Sequence, residues 1–161
     1  MTRLLIVYHT RTGGSRQMAE AAFNAAKAEC ETQLQTASET SPEDMLSADG
    51  YLFVAPENLA SLSGEMKEFF DRCYYPLLGN IEARPYAQLI CAGSDGENAV
   101  RQLARIAKGW RLKEVQPATM ICTHAQTEEQ ILAPKTIPED ELKTCADIGA
   151  ALAAGLSMGM F

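Results

Sequence analysis

Apolar stretches of strand length recur along the chain and are separated by segments with helical spacing. A continuous apolar run occupies residues 4–8, and largely apolar stretches occupy residues 50–55, 87–92 and 119–122. A run that is apolar at every position predicts a strand covered on both faces, as in a parallel sheet. The more polar stretch 33–37 is a weaker strand candidate, and its polarity indicates a position toward the edge of the sheet.

Between these strands, apolar residues return every three or four positions, which predicts amphipathic helices. This spacing covers residues 18–26, 66–74 and 100–107. A short helix is predicted to begin after Ser41, because serine is a good N-cap and a proline follows it in the first turn. The last helix opens near Pro138.

Five strands alternating with five helices imply an α/β fold, with helices on both faces of a parallel sheet. The chain has 161 residues, a usual length for one domain, so we treat residues 1–161 as a single domain. Pro56 is expected to end the third strand. Residues 124–137 are the one long irregular segment, and a loop of that length in a compact domain is often functional or else mobile.

Charge and composition narrow the classes of partner. The net charge is −7 and hydrophobic residues make up 47% of the chain, which favours a packed globule and disfavours nucleic acid or anionic membranes as partners. The uncharged C-terminal stretch 148–161 is too short for a membrane span, so we expect it to be the buried end of the last helix. The five cysteines are odd in number and form no C-x-x-C pair, which indicates free thiols, no zinc site and a reducing, cytoplasmic location.

In an open parallel sheet, ligands bind beyond the carboxyl ends of the strands. The turn after the first strand combines hydroxyls, glycines and a cation, in the order Thr10, Arg11, Thr12, Gly13, Gly14, Ser15. Glycines let an anion approach the backbone, and the helix that follows supplies unpaired amides, so the turn suits a phosphate monoester. It matches neither the P-loop nor the G-x-G-x-x-G pattern. The alternative is a tight turn that only starts a helix.

Three segments resemble a known superfamily. The turn T-R-T-G-G-S after L-L-I-V-Y-H resembles the T-x-T-G-x-T/S phosphate loop of flavodoxins and related FMN reductases. Residues 55–72 resemble the loop and helix of NAD(P)H-dependent FMN and quinone reductases, where the matching positions are Ser63, Gly64, Lys67 and Asp71. Residues 92–97 resemble the loop that passes the other side of the flavin.

The resemblance implies a three-layer flavodoxin-like fold with a five-stranded parallel sheet in the order 2-1-3-4-5. It implies FMN as the cofactor and NADPH or NADH as the electron donor. The turn 10–15 would hold the phosphate, and two loops would frame the ring through Pro56, Glu57, Asn58, Leu59, Gly93, Ser94, Asp95 and Gly96.

Single residues near these loops carry further expectations. Arg11 is a candidate cation for the phosphate or for the 2′-phosphate of NADPH, and Glu57 is a candidate acceptor for the imide N–H of the ring. Amides of the loop 94–97 are expected to face the ring edge that becomes negative on reduction. His9 and His124 are expected to be structural or exposed, and the sequence assigns no catalytic acid or base.

Two functions are compatible with FMN as the cofactor, an oxidoreductase and an electron carrier, and a third function would need no cofactor. Flavodoxins that carry single electrons usually sandwich the ring between aromatic side chains, yet residues 57–63 and 93–100 contain none. An open ring face admits a hydride donor, so we favour an oxidoreductase that reduces a quinone, a flavin or a similar acceptor. A one-electron carrier, working with a redox protein and using one of the five tyrosines outside these loops, is the alternative. A flavin-free interaction module is the third possibility.

A homodimer through residues 74–77 is also expected, although Tyr74 is assigned to the core.

Overall fold

The computed structural model describes all residues, 1–161. It contains seven strands and six helices. The strands are β1 (Arg3–Tyr8), β2 (Glu31–Thr36), β3 (Gly50–Asn58), β4 (Ser61–Leu62), β5 (Pro85–Ala92), β6 (Lys113–Glu114) and β7 (Thr119–Cys122). The helices are α1 (Gly14–Ala26), α2 (Pro42–Ser47), α3 (Gly64–Leu77), α4 (Glu97–Gly109), α5 (Glu128–Leu132) and α6 (Glu139–Ser157).

The sheet follows the path β2-β1-β3-β5-β6, and β7 also pairs with β5. All of these pairs are parallel; β6 lies beside the start of β5 and β7 beside its end. The prediction of five strands is therefore wrong in number, because β4 and β6, of two residues each, add to the sheet. The five predicted strands are present as β2, β1, β3, β5 and β7.

Two apolar cores lie on opposite faces of the sheet, as the continuous apolar strands predict. Leu5 and Val7 of β1 face one core, which α2, α3 and α4 complete. The intervening Leu4 and Ile6 face the other, which α1 and α6 complete. Helices α1 and α6 pack closely, since a Cβ added at Gly149 would lie 2.4 Å from a backbone oxygen of α1.

Several local expectations were wrong in detail. Strand β3 continues through Pro56, which pairs with Cys91 of β5. The segment 124–137 contains the short helix α5. Helix α6 ends at Ser157, and the last residues of the chain are exposed rather than buried, with Phe161 40% exposed. None of the helices combines the length and the apolar character needed to cross a bilayer.

Candidate functional site

The turn between β1 and α1 presents unpaired hydrogen-bond donors. Gly13 has a φ of +96°, a left-handed conformation that favours glycine, and its amide donates to Thr10 Oγ1 at 2.9 Å. The first three amides of α1, those of residues 14–16, have no acceptor in the protein. Ser15 is 1% exposed, and its hydroxyl has no hydrogen-bond partner either. Unpaired buried polar groups are rare, so this arrangement points to an anion held at the start of α1.

A lysine from the opposite end of the chain lies against this turn. The Lys135 amide donates to the Thr12 carbonyl at 2.9 Å, and Lys135 Nζ lies 3.3 Å from Thr12 Oγ1, across 123 residues of sequence. Arg11, the cation expected there, is exposed and forms no ion pair. Sequence reasoning missed Lys135, and its only signal was the irregular segment to which it belongs.

Gln17 holds that segment against α1. Its Nε2 donates to the carbonyls of Gly13 at 2.9 Å and Lys135 at 2.7 Å. Its Oε1 accepts from the Ile137 amide at 3.0 Å. One side chain on the first turn of α1 therefore fixes the position of residues 135–137 beside the β1–α1 turn.

The second predicted loop is a hairpin rather than an irregular turn. Strand β4 pairs antiparallel with the end of β3, with Glu57 opposite Leu62 and Asn58 opposite Ser61. The two turn residues, Leu59 and Ala60, both have positive φ, 51° and 61°. Such a turn favours Asn and Gly, so the Leu-Ala sequence is strained. Leu59 is 99% exposed at the tip and does not line the cleft described below.

Glu57 joins this hairpin to the third predicted loop. Its carboxylate accepts from the Gly96 amide at 3.0 Å and the Ala99 amide at 3.3 Å, at the start of α4. A carboxylate there is stabilised by the helix dipole. Glu57 thus caps α4 in the structure, and its contact with the imide N–H of the ring stays a prediction.

The third loop keeps fewer free amides than expected. The Gly96 amide is bonded to Glu57, and the Glu97 amide donates to Asp95 Oδ1 at 3.2 Å. The amides of Ser94 and Asp95 have no protein acceptor, and both residues are exposed. Only the first half of the loop 94–97 can therefore donate to a ligand.

Parts of all three loops meet in one cleft of about 70 Å³. Thr12 comes from the first loop, residues 56–58 from the second and Gly93 from the third. The segment 123–135 closes the cleft, with Ile131 of α5 among the lining residues. A larger cleft, of about 480 Å³, is also lined by that segment and shares Thr123, Ala125 and Lys135 with the smaller one.

Comparison with known proteins places the chain in a family. Residues 15–127 match the profile of the NADPH-dependent FMN reductase family, which is more than half of the chain. The chain belongs to this family. Membership confirms FMN as the predicted cofactor and supports NAD(P)H as the electron donor.

Curated relatives of this FMN reductase family member match only in part. This chain is 36% identical over 86 residues to a flavodoxin of Aquifex aeolicus, and the alignment covers 52% of this chain and 46% of the flavodoxin. It is 29% identical over 94 residues to an NAD(P)H dehydrogenase (quinone) of Acidithiobacillus ferrooxidans, covering 45% of the chain and 47% of the relative. The chain thus spans about half the length of these relatives.

Solved structures share the fold of this FMN reductase family member. A flavodoxin from the domain Archaea superposes with a TM-score of 0.78 at 16% identity, over 96% of this chain and 99% of that one. The flavodoxin, WrbA-like protein from Agrobacterium tumefaciens superposes with a TM-score of 0.73 at 17% identity, over 99% of both chains. These likenesses confirm the predicted flavodoxin-like α/β fold.

The residues of the β1–α1 turn fit the phosphate of FMN. Its free amides and the orphaned Ser15 hydroxyl are the donors that a phosphate dianion requires. The ring has less room, because 70 Å³ is well below the roughly 300 Å³ at which ligand pockets begin.

Titratable side chains near the cleft are held in uncharged forms. Burial lowers the pKa of His9, against the opposing effect of Glu65, whose Oε2 lies 3.2 Å from His9 Nε2. His9 Nδ1 pairs with the buried Ser63 hydroxyl at 2.8 Å, so His9 is structural, as expected. Burial raises the pKa of Cys91, which lines the cleft, to about 11, and its thiol therefore stays protonated near neutral pH.

Proposed function

We propose that this protein is an FMN-dependent oxidoreductase that takes electrons from NAD(P)H and reduces a quinone, a free flavin or a similar small acceptor. The observation that carries the proposal is the lining of the cleft. No aromatic side chain lines the cleft, and several of its lining residues are small, among them Pro56, Ala92, Gly93 and Ala125. A nicotinamide must approach the flavin face to about 3.5 Å, which a flat aromatic cover would prevent.

The tyrosines that could provide such a cover lie elsewhere. Tyr51 and Tyr86 are buried in the core beside Phe53, and Tyr74 stacks on Trp110 with 5.7 Å between ring centroids. Tyr75 is exposed at the far end of α3. Tyr8 packs against the core formed with α1 and α6 and does not line the cleft. These placements support the oxidoreductase over the carrier.

The roles of the chain's own groups follow from their contacts. Amides 14–16 and the Ser15 hydroxyl would hold the phosphate, while the hairpin 56–62 and Gly93 would flank the ring. The free amides of Ser94 and Asp95 would donate to the ring edge, where reduction places negative charge. When bound, FMN supplies the hydride and electron transfer itself.

Anaerobic stopped-flow mixing tests the proposal. The protein loaded with FMN is mixed with NADPH or NADH, and bleaching of the flavin absorbance is followed. A quinone, FMN and an azo dye are then added as acceptors. We expect fast bleaching by at least one nicotinamide and reoxidation by a small acceptor. Bleaching by dithionite or a reductase protein alone would favour the carrier, for which the partial match to a flavodoxin is the supporting observation.

A homodimer remains a prediction. Tyr74 belongs to the core, but Tyr75 is 78% exposed and Leu78 is 46% exposed beside it. These apolar side chains at the end of α3 support an interface there. Light scattering of the protein and of Tyr75→Ser tests it, since only the variant should dissociate.

A further inference from the structure

The part-buried ammonium of Lys135 has no acidic partner. Its Nζ donates to the carbonyls of Ala133 at 2.6 Å and Ile131 at 2.8 Å, and lies 3.3 Å from Thr12 Oγ1. All of these oxygens are neutral, and no carboxylate lies within 4.0 Å of the ammonium. Charges withdrawn from water are usually paired with an opposite charge, so the position of this lysine favours binding of an anion.

The same position adjoins the donors of α1. Thr12, which Lys135 contacts through both its carbonyl and its hydroxyl, directly precedes Gly13 and the free amides of residues 14–16. Ser15 adds a buried hydroxyl without a partner. A cation, a set of amides and an unpartnered hydroxyl therefore converge, and all of them favour negative charge.

We infer that Lys135 binds the ester phosphate at the start of α1 and makes the protein discriminate FMN from riboflavin. The inference rests on the proposed use of this turn for the phosphate. The phosphate replaces carbonyl acceptors of the ammonium with a doubly charged one. Charge-assisted hydrogen bonds of this kind are about twice as strong as neutral ones.

The position of Lys135 is fixed before any ligand binds. Its amide is bonded to the Thr12 carbonyl, and Gln17 holds its carbonyl and the Ile137 amide. Little backbone order must therefore be gained on binding, which lowers the entropic cost of the contact with the ammonium.

The test compares FMN with riboflavin, which lacks only the phosphate. Flavin fluorescence titrations are run on the wild type, Lys135→Gln and Lys143→Gln. Lys143 is the matched control, because it is an exposed lysine paired with Asp147 on α6. We expect Lys135→Gln to raise the Kd of FMN by about 10- to 100-fold, to leave the Kd of riboflavin unchanged, and Lys143→Gln to alter neither.

Two further measurements keep the outcome decisive. Lys135→Arg preserves the charge and should retain most of the preference for FMN. Inorganic phosphate should compete with FMN in the wild type, and at least tenfold less well in Lys135→Gln. An equal loss for both flavins would assign Lys135 a structural role and overturn the inference, as would unchanged FMN binding. A wild type that binds neither flavin would instead refute the proposed function.

Discussion

The orphaned hydroxyl of Ser15 predicts that one substitution stabilises the free protein and weakens its ligand binding. Ser15 is 1% exposed, and its Oγ has no partner. Leaving a buried hydroxyl unsatisfied costs about 1–3 kcal/mol. Ser15→Ala removes the hydroxyl and little volume, so we expect the flavin-free protein to gain about 1 kcal/mol of stability. That gain corresponds to a rise of about 2–4 °C in Tm for a chain of this size.

The same substitution removes a donor to the phosphate. A hydrogen bond to a charged group contributes about 1.5–3 kcal/mol, so the Kd of FMN should rise by at least about tenfold. Urea unfolding without flavin and fluorescence titration with FMN measure the two effects on one preparation. Opposite signs are the expected signature of a group whose partner is the ligand.

Ser63 provides a matched control. It is also 1% exposed, but its hydroxyl pairs with His9 Nδ1 at 2.8 Å. Ser63→Ala should therefore destabilise the free protein by about 1 kcal/mol, because it leaves the imidazole nitrogen without its partner. If Ser15→Ala also destabilised the free protein, or left FMN binding unchanged, the Ser15 hydroxyl would not be a phosphate donor.

Two other predictions concern ring access and pH. Ile131→Ala should raise the association rate of FMN several-fold, because Ile131 lines the cleft that is too small for the ring. Leu132 is exposed and does not line the cleft, so Leu132→Ala should leave the rate unchanged. Equal rates for the two variants in stopped-flow fluorescence would show that α5 does not limit entry of FMN. Burial holds the pKa of His9 below its ordinary 6.5. The contribution of neutral His9 to the free energy of unfolding should therefore be fully present above pH 6.5 and be lost as the pH falls below that value. Urea unfolding at pH 7.5 and 5.5 should show this loss in the wild type and a smaller one in His9→Gln; the same loss in both would point to another group.

The sequence pattern predicted elements that are long enough to show an apolar run or a helical spacing. Strand β7 spans Thr119–Cys122, as expected, and α4 ends at Gly109. The sequence pattern missed β4 and β6, because a strand of two residues shows no periodicity. It also misplaced the end of β3 at Pro56. Beyond Val54 that strand no longer pairs with β1, so the missing proline amide costs no ladder hydrogen bond there.

Within the candidate site, too, the sequence predicted the features that depend on contiguous residues and missed those that depend on long-range contacts. The β1–α1 turn is contiguous in sequence, and its glycines and hydroxyls could be recognised directly as a candidate phosphate site. Lys135 reaches Thr12 across 123 residues, and no local pattern specifies such a contact. The direction of the Glu57 carboxylate likewise depends on amides about 40 residues away, in a loop whose position only the folded sheet determines.

The bridge from Glu57 to the first turn of α4 has a mechanical consequence. Asn98 and Gln102 of α4 reinforce it by bonding the Ala60 carbonyl and the Leu62 amide of the hairpin. The hairpin 56–62 and the start of α4, which would flank the flavin, are thus held together by several hydrogen bonds, and we expect them to move as one rigid unit. We therefore expect any change of shape on ligand binding to be confined to the α5 side of the cleft, while the hairpin and the start of α4 keep their relative positions.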